Sequence, residues 1–166
     1  VSVIALGFSL AAAAQEVPER GDIPAEYKWD LSDMYASTDD WEADKARFLD
    51  SLPELARFKG TLSESGDNLL TAIEAIQKIE TVIANLYVYA GLRSNEDTRI
   101  SENGARLSEA QGLYSQYQQA LSYFSPELLA ISEDQLNQFI EDTPGLQIYA
   151  HYLEEMARMR PYKIGR

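Results

Sequence analysis

Apolar side chains recur at helical spacing across residues 69–124. Leu69, Ile73, Ile76, Ile83, Tyr87 and Ala90 stand three, four or seven apart, and Leu107, Ala110, Tyr114, Tyr117, Leu121 and Phe124 continue the pattern. Each set falls on one face of a helix, so the spacing predicts two arms that bury each other as a long antiparallel hairpin. The polar cluster at residues 63–67 starts the first arm, and residues 91–98 form the bend. Gly91 is expected to stop the first arm, with Asn95 or Ser94 capping the second. Gly104 and Gly112 lie inside the second arm. Each costs up to about 1 kcal/mol relative to Ala in a helix interior, and marks either a close helix approach or a soft spot.

The flanks read as further helices. Ser37 or Thr38 caps one whose first turn holds Asp39 and Asp40, the favourable charge for that end. Trp41, Phe48, Leu52 and Leu55 form its stripe, Pro53 kinks or restarts it, and residues 58–60 end it. Beyond the hairpin, Ser125, Pro126 and Glu127 predict a cap for a short helix through Ala130. Ser132 followed by Gln135 fits a capping box for a helix to about Ile140. Thr143, Pro144 and Gly145 break the chain. A last helix over residues 146–160, apolar at Leu146, Tyr149, Leu153 and Met156, stops at Pro161. No strand pattern and no repeat at solenoid spacing occurs. The fold class is all-α, an antiparallel helical hairpin or bundle with an extended N-terminal arm.

That arm covers residues 15–37. Pro18, Gly21 and Pro24 interrupt any helical period, while Tyr27, Trp29, Leu31, Met34 and Tyr35 offer anchors against the helices. Residues 1–14 are different. An uncharged apolar run over residues 1–10 is followed by four alanines, Ala11 to Ala14, as in a signal-peptide core and cleavage site, with Ala12 and Ala14 at the −3 and −1 positions. The run is too short for a membrane-spanning helix, which needs about 20 apolar residues. With no Met and no basic segment ahead of Val1, the chain is expected to begin inside that signal peptide. The expected division is therefore a truncated signal peptide at 1–14, the arm at 15–37 and a helical domain at 38–166. The expected location is periplasmic or secreted, with no stable membrane anchor after cleavage. A buried first helix is the competing reading of residues 1–14.

Charge narrows the partners. The formal net charge is −13, from 27 acidic and 14 basic residues. Such a surface repels phosphate backbones and anionic lipid, which argues against nucleic acid and membrane-surface partners. A solvated acidic face is the simpler explanation, and attraction of cationic peptides the sharper one. Cysteine is absent, which excludes disulfides, thiolate chemistry and cysteine zinc sites.

Candidate chemistry is sparse. His151 is the only histidine. It precedes Glu154 by three residues, which matches half of an inverted H-x-x-E-H zinc motif, but Glu155 stands where the second histidine belongs. The acidic pairs Asp30 with Asp33, Asp39 with Asp40, Glu96 with Asp97 and Glu154 with Glu155 fall at helix starts or on polar faces, and none has calcium-loop spacing. No G-x-S-x-G, Walker or dinucleotide glycine pattern is present. Arg93 and Arg99 flank Glu96 and Asp97, which predicts ion pairs that stiffen the bend. Tyr114, Tyr117 and Tyr123 read as core rim, since tyrosine buries its ring and wets its hydroxyl. No catalytic, cofactor-binding or metal-binding residue is assigned within the chain.

One run is more specific. Tyr27, Trp29, Asp30, Leu31, Asp33 and Tyr35 form a Tyr-x-Trp-Asp-Leu-x-Asp-x-Tyr stretch. It resembles the opening of oligoendopeptidase F-type peptidases of the M3 family. The resemblance continues at residues 55–62, is strongest at residues 86–99, and extends through residues 121–128 and 151–155, covering about residues 23–162. It implies a zinc metallopeptidase that hydrolyses oligopeptides inside a largely helical shell. In that family zinc is held by H-E-x-x-H and a downstream Glu, well beyond the region that this chain resembles. The resemblance therefore carries no catalytic residue and no bound metal into this chain. It implies instead the N-terminal helical portion, which walls the substrate channel and is inactive alone. A secretory segment departs from the family's cytoplasmic members. The competing readings are a free-standing helical binding or scaffold module and a homologue whose zinc site has decayed.

Overall fold

The computed structural model describes residues 19–160, which form helices and turns with no β-strand among them. The expected signal segment lies outside the described residues. The chain divides after Asp30. Residues 19–30 contain two single 3-10 turns, Arg20–Asp22 and Ala25–Tyr27, each followed by an extended residue, Ile23 and Lys28. Tyr27 and Trp29 are exposed.

In the second unit, Leu31 and Met34 pack at the margin of the core and Tyr35 is buried in it. Helix α1 (Thr38–Leu55) opens on Ser37, whose Oγ accepts from the Asp40 N–H at 3.2 Å. Trp41, Phe48 and Leu55 form its buried stripe, and Leu52 packs beside them. The helix runs through Pro53 in its last turn, where the missing N–H forgoes one intrahelical hydrogen bond without ending the helix. A 3-10 turn at Ala56–Phe58 follows, and Gly60 reverses the chain with φ of +84°.

Helix α2 (Gly66–Glu96) is the central element. Ser65 caps it by accepting from the Asn68 N–H at 3.1 Å. Leu69, Ile73, Ile76, Ile83 and Ala90 are buried as the spacing predicts, but so are Ala72, Ile79, Leu86 and Tyr89. Two apolar faces explain why: α2 packs against α1 as well as against α3 (Ser101–Ala120). Burial of each leucine or isoleucine among them is worth about 1.5–3 kcal/mol. The indole N–H of Trp41 donates to the Leu86 carbonyl at 3.1 Å, pinning the start of α1 to α2.

Five local expectations are corrected. Gly91 does not end α2, which continues to Glu96, with the Arg93–Glu96 pair supporting its last turn. Neither Ser94 nor Asn95 caps α3; its N-cap is Ile100, and the bend is tied instead by Asn103 Nδ2 donating to the Arg93 carbonyl at 3.0 Å. Tyr87 and Tyr114 leave the buried faces and are 39% and 45% exposed, with Tyr89 and Leu113 taking the inner positions. Ser125 is not a cap: α4 (Phe124–Ala130) begins one residue earlier, continuing helically from Tyr123. Gly104 and Gly112 have open space where a Cβ would project, so close helix approach does not explain them.

Ser132 caps α5 (Glu133–Asp142) through the Gln135 N–H at 3.3 Å. Only half of the capping box forms, because the Gln135 amide instead donates to the Ser63 carbonyl at 3.0 Å. The expected last helix opens as a 3-10 segment, Pro144–Tyr149, before α6 (Ala150–Arg158). Leu146 and Leu153 are buried as predicted. α5 and the 3-10 segment pack against α2, and α6 packs against α4. Thr143 closes tightly on the start of α2, where a Cβ on Gly66 would lie 2.1 Å from its Oγ1.

Candidate functional site

The antiparallel pairing of α2 with α3 leaves a groove on the side where α6 approaches. Its floor is apolar, built from buried Ile76 and Phe124 and half-buried Leu121. Its rim is polar, with Gln77 and Glu80 from α2 and Gln118 from α3. Tyr117, Tyr149 and Tyr152 complete it from three different elements. The Tyr149 hydroxyl donates to Gln77 Oε1 at 2.7 Å, holding the 3-10 segment against α2. An aromatic row continues along the seam: Tyr114 lies 6.2 Å from Tyr117 and 5.9 Å from Tyr87, ring centre to ring centre. These are tilted contacts within the range where aromatic pairs attract.

Burial pushes the Tyr117 phenol well above its ordinary ionisation range, and the negative charge of Glu80 adds to the effect, followed by Tyr114 and Tyr152. Tyr152 is raised by burial and then by Glu80. Both hydroxyls therefore stay protonated and are available as hydrogen-bond donors rather than as bases. The groove offers an apolar floor, neutral donors and one carboxylate. That combination suits holding a side chain or an extended peptide, and it supplies no nucleophile–base pair.

The residues singled out in sequence are dispersed. His151 is exposed in the first turn of α6. Glu154 and Glu155 are exposed on the same helix, and Glu155 accepts from Arg158. Asp39 and Asp40 lie in the first turn of α1, and Asp30 and Asp33 are exposed. Glu96 is paired with Arg93 at 2.9 Å and Asp97 with Arg99 at 2.7 Å, so the bend carries the ion pairs its charge pattern predicts. Arg93 also lies over the Tyr89 ring at 5.8 Å. Tyr123 is buried and its hydroxyl donates to the Leu55 carbonyl at 2.7 Å, an inner position rather than a ligand contact. No group of three or more His, Cys, Asp or Glu side chains among the described residues is arranged to hold a metal ion. A zinc ion therefore does not fit the donor set of these residues, and they offer no catalytic step that runs through one.

Glu80, Tyr149 and Tyr152 escape sequence reading as a site because Gln77 and Tyr149 meet across 72 positions of chain. One signal exists. Glu80 occupies a position on α2 where the Ile73, Ile76 and Ile83 stripe calls for an apolar residue.

Comparison with known proteins gives consistent matches. A family model for the N-terminal part of M3 peptidases, described as Oligopeptidase F, matches residues 127–165. Oligopeptidase PepF of Bacillus subtilis is 35% identical over 152 residues, covering 92% of this chain and 23% of that protein. Group B oligopeptidase PepB of Streptococcus agalactiae is 27% identical over 146 residues, covering 88% of this chain and 24% of its own length. The crystal structure of oligoendopeptidase-F from Enterococcus faecium superposes with a TM-score of 0.69 at 30% identity, over 72% of this chain and 23% of that one. The chain thus spans about a quarter of the length of the curated relatives it matches.

Proposed function

With a chain that matches the N-terminal region of oligoendopeptidase F-type peptidases of the M3 family in sequence and all-α fold, we propose that it is the N-terminal helical portion of an enzyme that hydrolyses oligopeptides. The observation that carries this reading is the 35% identity to PepF running through 92% of the chain. In this reading the helical layer of α1, α2 and α3 walls the substrate channel and admits short, flexible peptides. Cleavage belongs to a zinc site on residues outside this chain, and the 166 residues are inactive by themselves. The groove supports that division of labour, since its chemistry binds without cleaving. The division into a signal segment at 1–14, an arm at 15–37 and a helical domain at 38–166 is part of the same proposal. The apolar run and alanines of residues 1–14 support a periplasmic or secreted enzyme. Cell fractionation checks that placement.

The decisive experiment measures peptidase activity of the complete reading frame on a quenched fluorescent oligopeptide, with and without a zinc chelator, beside the 166-residue chain. Chelator-sensitive cleavage by the complete protein alone is the expected result. No cleavage by a folded, zinc-supplied complete protein would sink the peptidase reading. The open groove would then favour a second one, a helical module that binds peptides without catalysis.

A further inference from the structure

Glu80 interrupts the apolar stripe of α2, and among the described residues no hydrogen bond or ion pair engages its carboxylate. Its neighbours one helical turn away, Ile76, Gln77, Ile83 and Ala84, carry no positive charge, so an intrahelical pair is not on offer. Instead the carboxylate shares its groove with Tyr117, Tyr149 and Tyr152. Tyr152 is 45% exposed, which leaves its ring open to a ligand.

An unpaired carboxylate among phenol rings is a recognition set for an organic cation. The carboxylate meets the charge, and ring faces attract it through their quadrupoles. Other occupants fit worse. An anion would face Glu80 directly, and a purely apolar side chain would strip water from that carboxylate without pairing it. The net charge of −13 draws cations toward the whole molecule, and the apolar floor beside Glu80 suits an aliphatic stem.

We propose that this groove binds a lysine or arginine side chain of a peptide, with Glu80 and the Tyr152 ring face meeting the charged head and the apolar floor taking the stem. The inference rests on the oligopeptidase reading only for its biological role, which would be selection of basic oligopeptides. The binding itself needs no catalysis.

The test uses the complete protein and fluorescent peptide pairs of equal length, one with lysine and one with norleucine at the same position. Affinity is read by anisotropy, and cleavage is read in parallel. Lysine should bind about fivefold more tightly, the size expected for a partly exposed cation–π contact with an ion pair. Glu80→Gln and Tyr152→Leu should each lower the lysine-to-norleucine ratio to about twofold, and the double variant should bring it close to one, while Tyr152→Phe, which keeps the ring, should preserve it. Glu74→Gln, the same charge change in the groove between α1 and α2, should also preserve it. A ratio near one in the unmodified protein, or a preference equally reduced by Glu74→Gln, overturns the inference whether or not peptides are cleaved. A Glu80-dependent preference without cleavage upholds it while the peptidase reading falls.

Discussion

Replacing Gly91 by alanine should stabilise the protein, and the sign of the effect separates two accounts of α2. Gly91 stands five residues before the last residue of that helix, Glu96. Its φ is not positive, since among the described residues Gly60 is the one glycine in that region. A Cβ built on Gly91 meets nothing within 4 Å beyond the helix's own backbone. Alanine therefore brings neither a clash nor a strained dihedral, and removes the backbone-entropy penalty of glycine. In a helix interior that penalty is about 0.8–1.0 kcal/mol, and fraying near the C-terminal end trims it to about 0.5–1 kcal/mol. The expected rise in Tm is about 1–4 °C. Urea denaturation followed by circular dichroism should show a higher midpoint at unchanged slope. Gly60→Ala is the paired control. At φ +84° it should lose about 1–2 kcal/mol although its Cβ also has open space. If Gly91→Ala lost stability as Gly60→Ala does, Gly91 would be a left-handed stop and the continuous α2 would be wrong.

The other predictions rest on tyrosines. Tyr123→Phe keeps the ring but leaves the Leu55 carbonyl without the 2.7 Å bond it accepts, so it should cost about 1–2 kcal/mol. Tyr149→Phe removes an exposed bond to Gln77 and should cost under about 0.5 kcal/mol, so equal losses for the two would refute the buried-bond argument. Alkaline pH should weaken the fold. Burial raises the phenols of Tyr35, Tyr117, Tyr123 and Tyr152, with Asp44 adding at Tyr35. Unfolded tyrosines ionise near pH 10 while these stay protonated, so the folded form holds more protons above that pH. Their contribution is intact below about pH 10 and is lost as pH rises toward the folded values. A urea midpoint that stays flat between about pH 9 and 11 would contradict this assignment.

The chain's local features are legible in its sequence wherever their physical cause is local. Ser37, Ser65 and Ser132 cap helices because each side chain meets an N–H three residues on. The all-α class follows from apolar spacing that returns to one helix face, and the bend's ion pairs follow from charges within three positions of each other. The M3-type resemblance is carried by short runs whose order along the chain needs no coordinates. Tertiary structure decides the rest. Spacing alone allots α2 one buried face, but α1 packs on it as well as α3, so Leu86 and Tyr89 turn inward and Tyr87 turns outward. Glycine at position 91 is a stop signal only where the helix gains nothing by continuing, and α2 continues past it. The groove is the clearest case. Gln77 and Glu80 meet tyrosines some seventy residues away because α6 folds back beside the α2–α3 seam, a juxtaposition that no local interaction specifies.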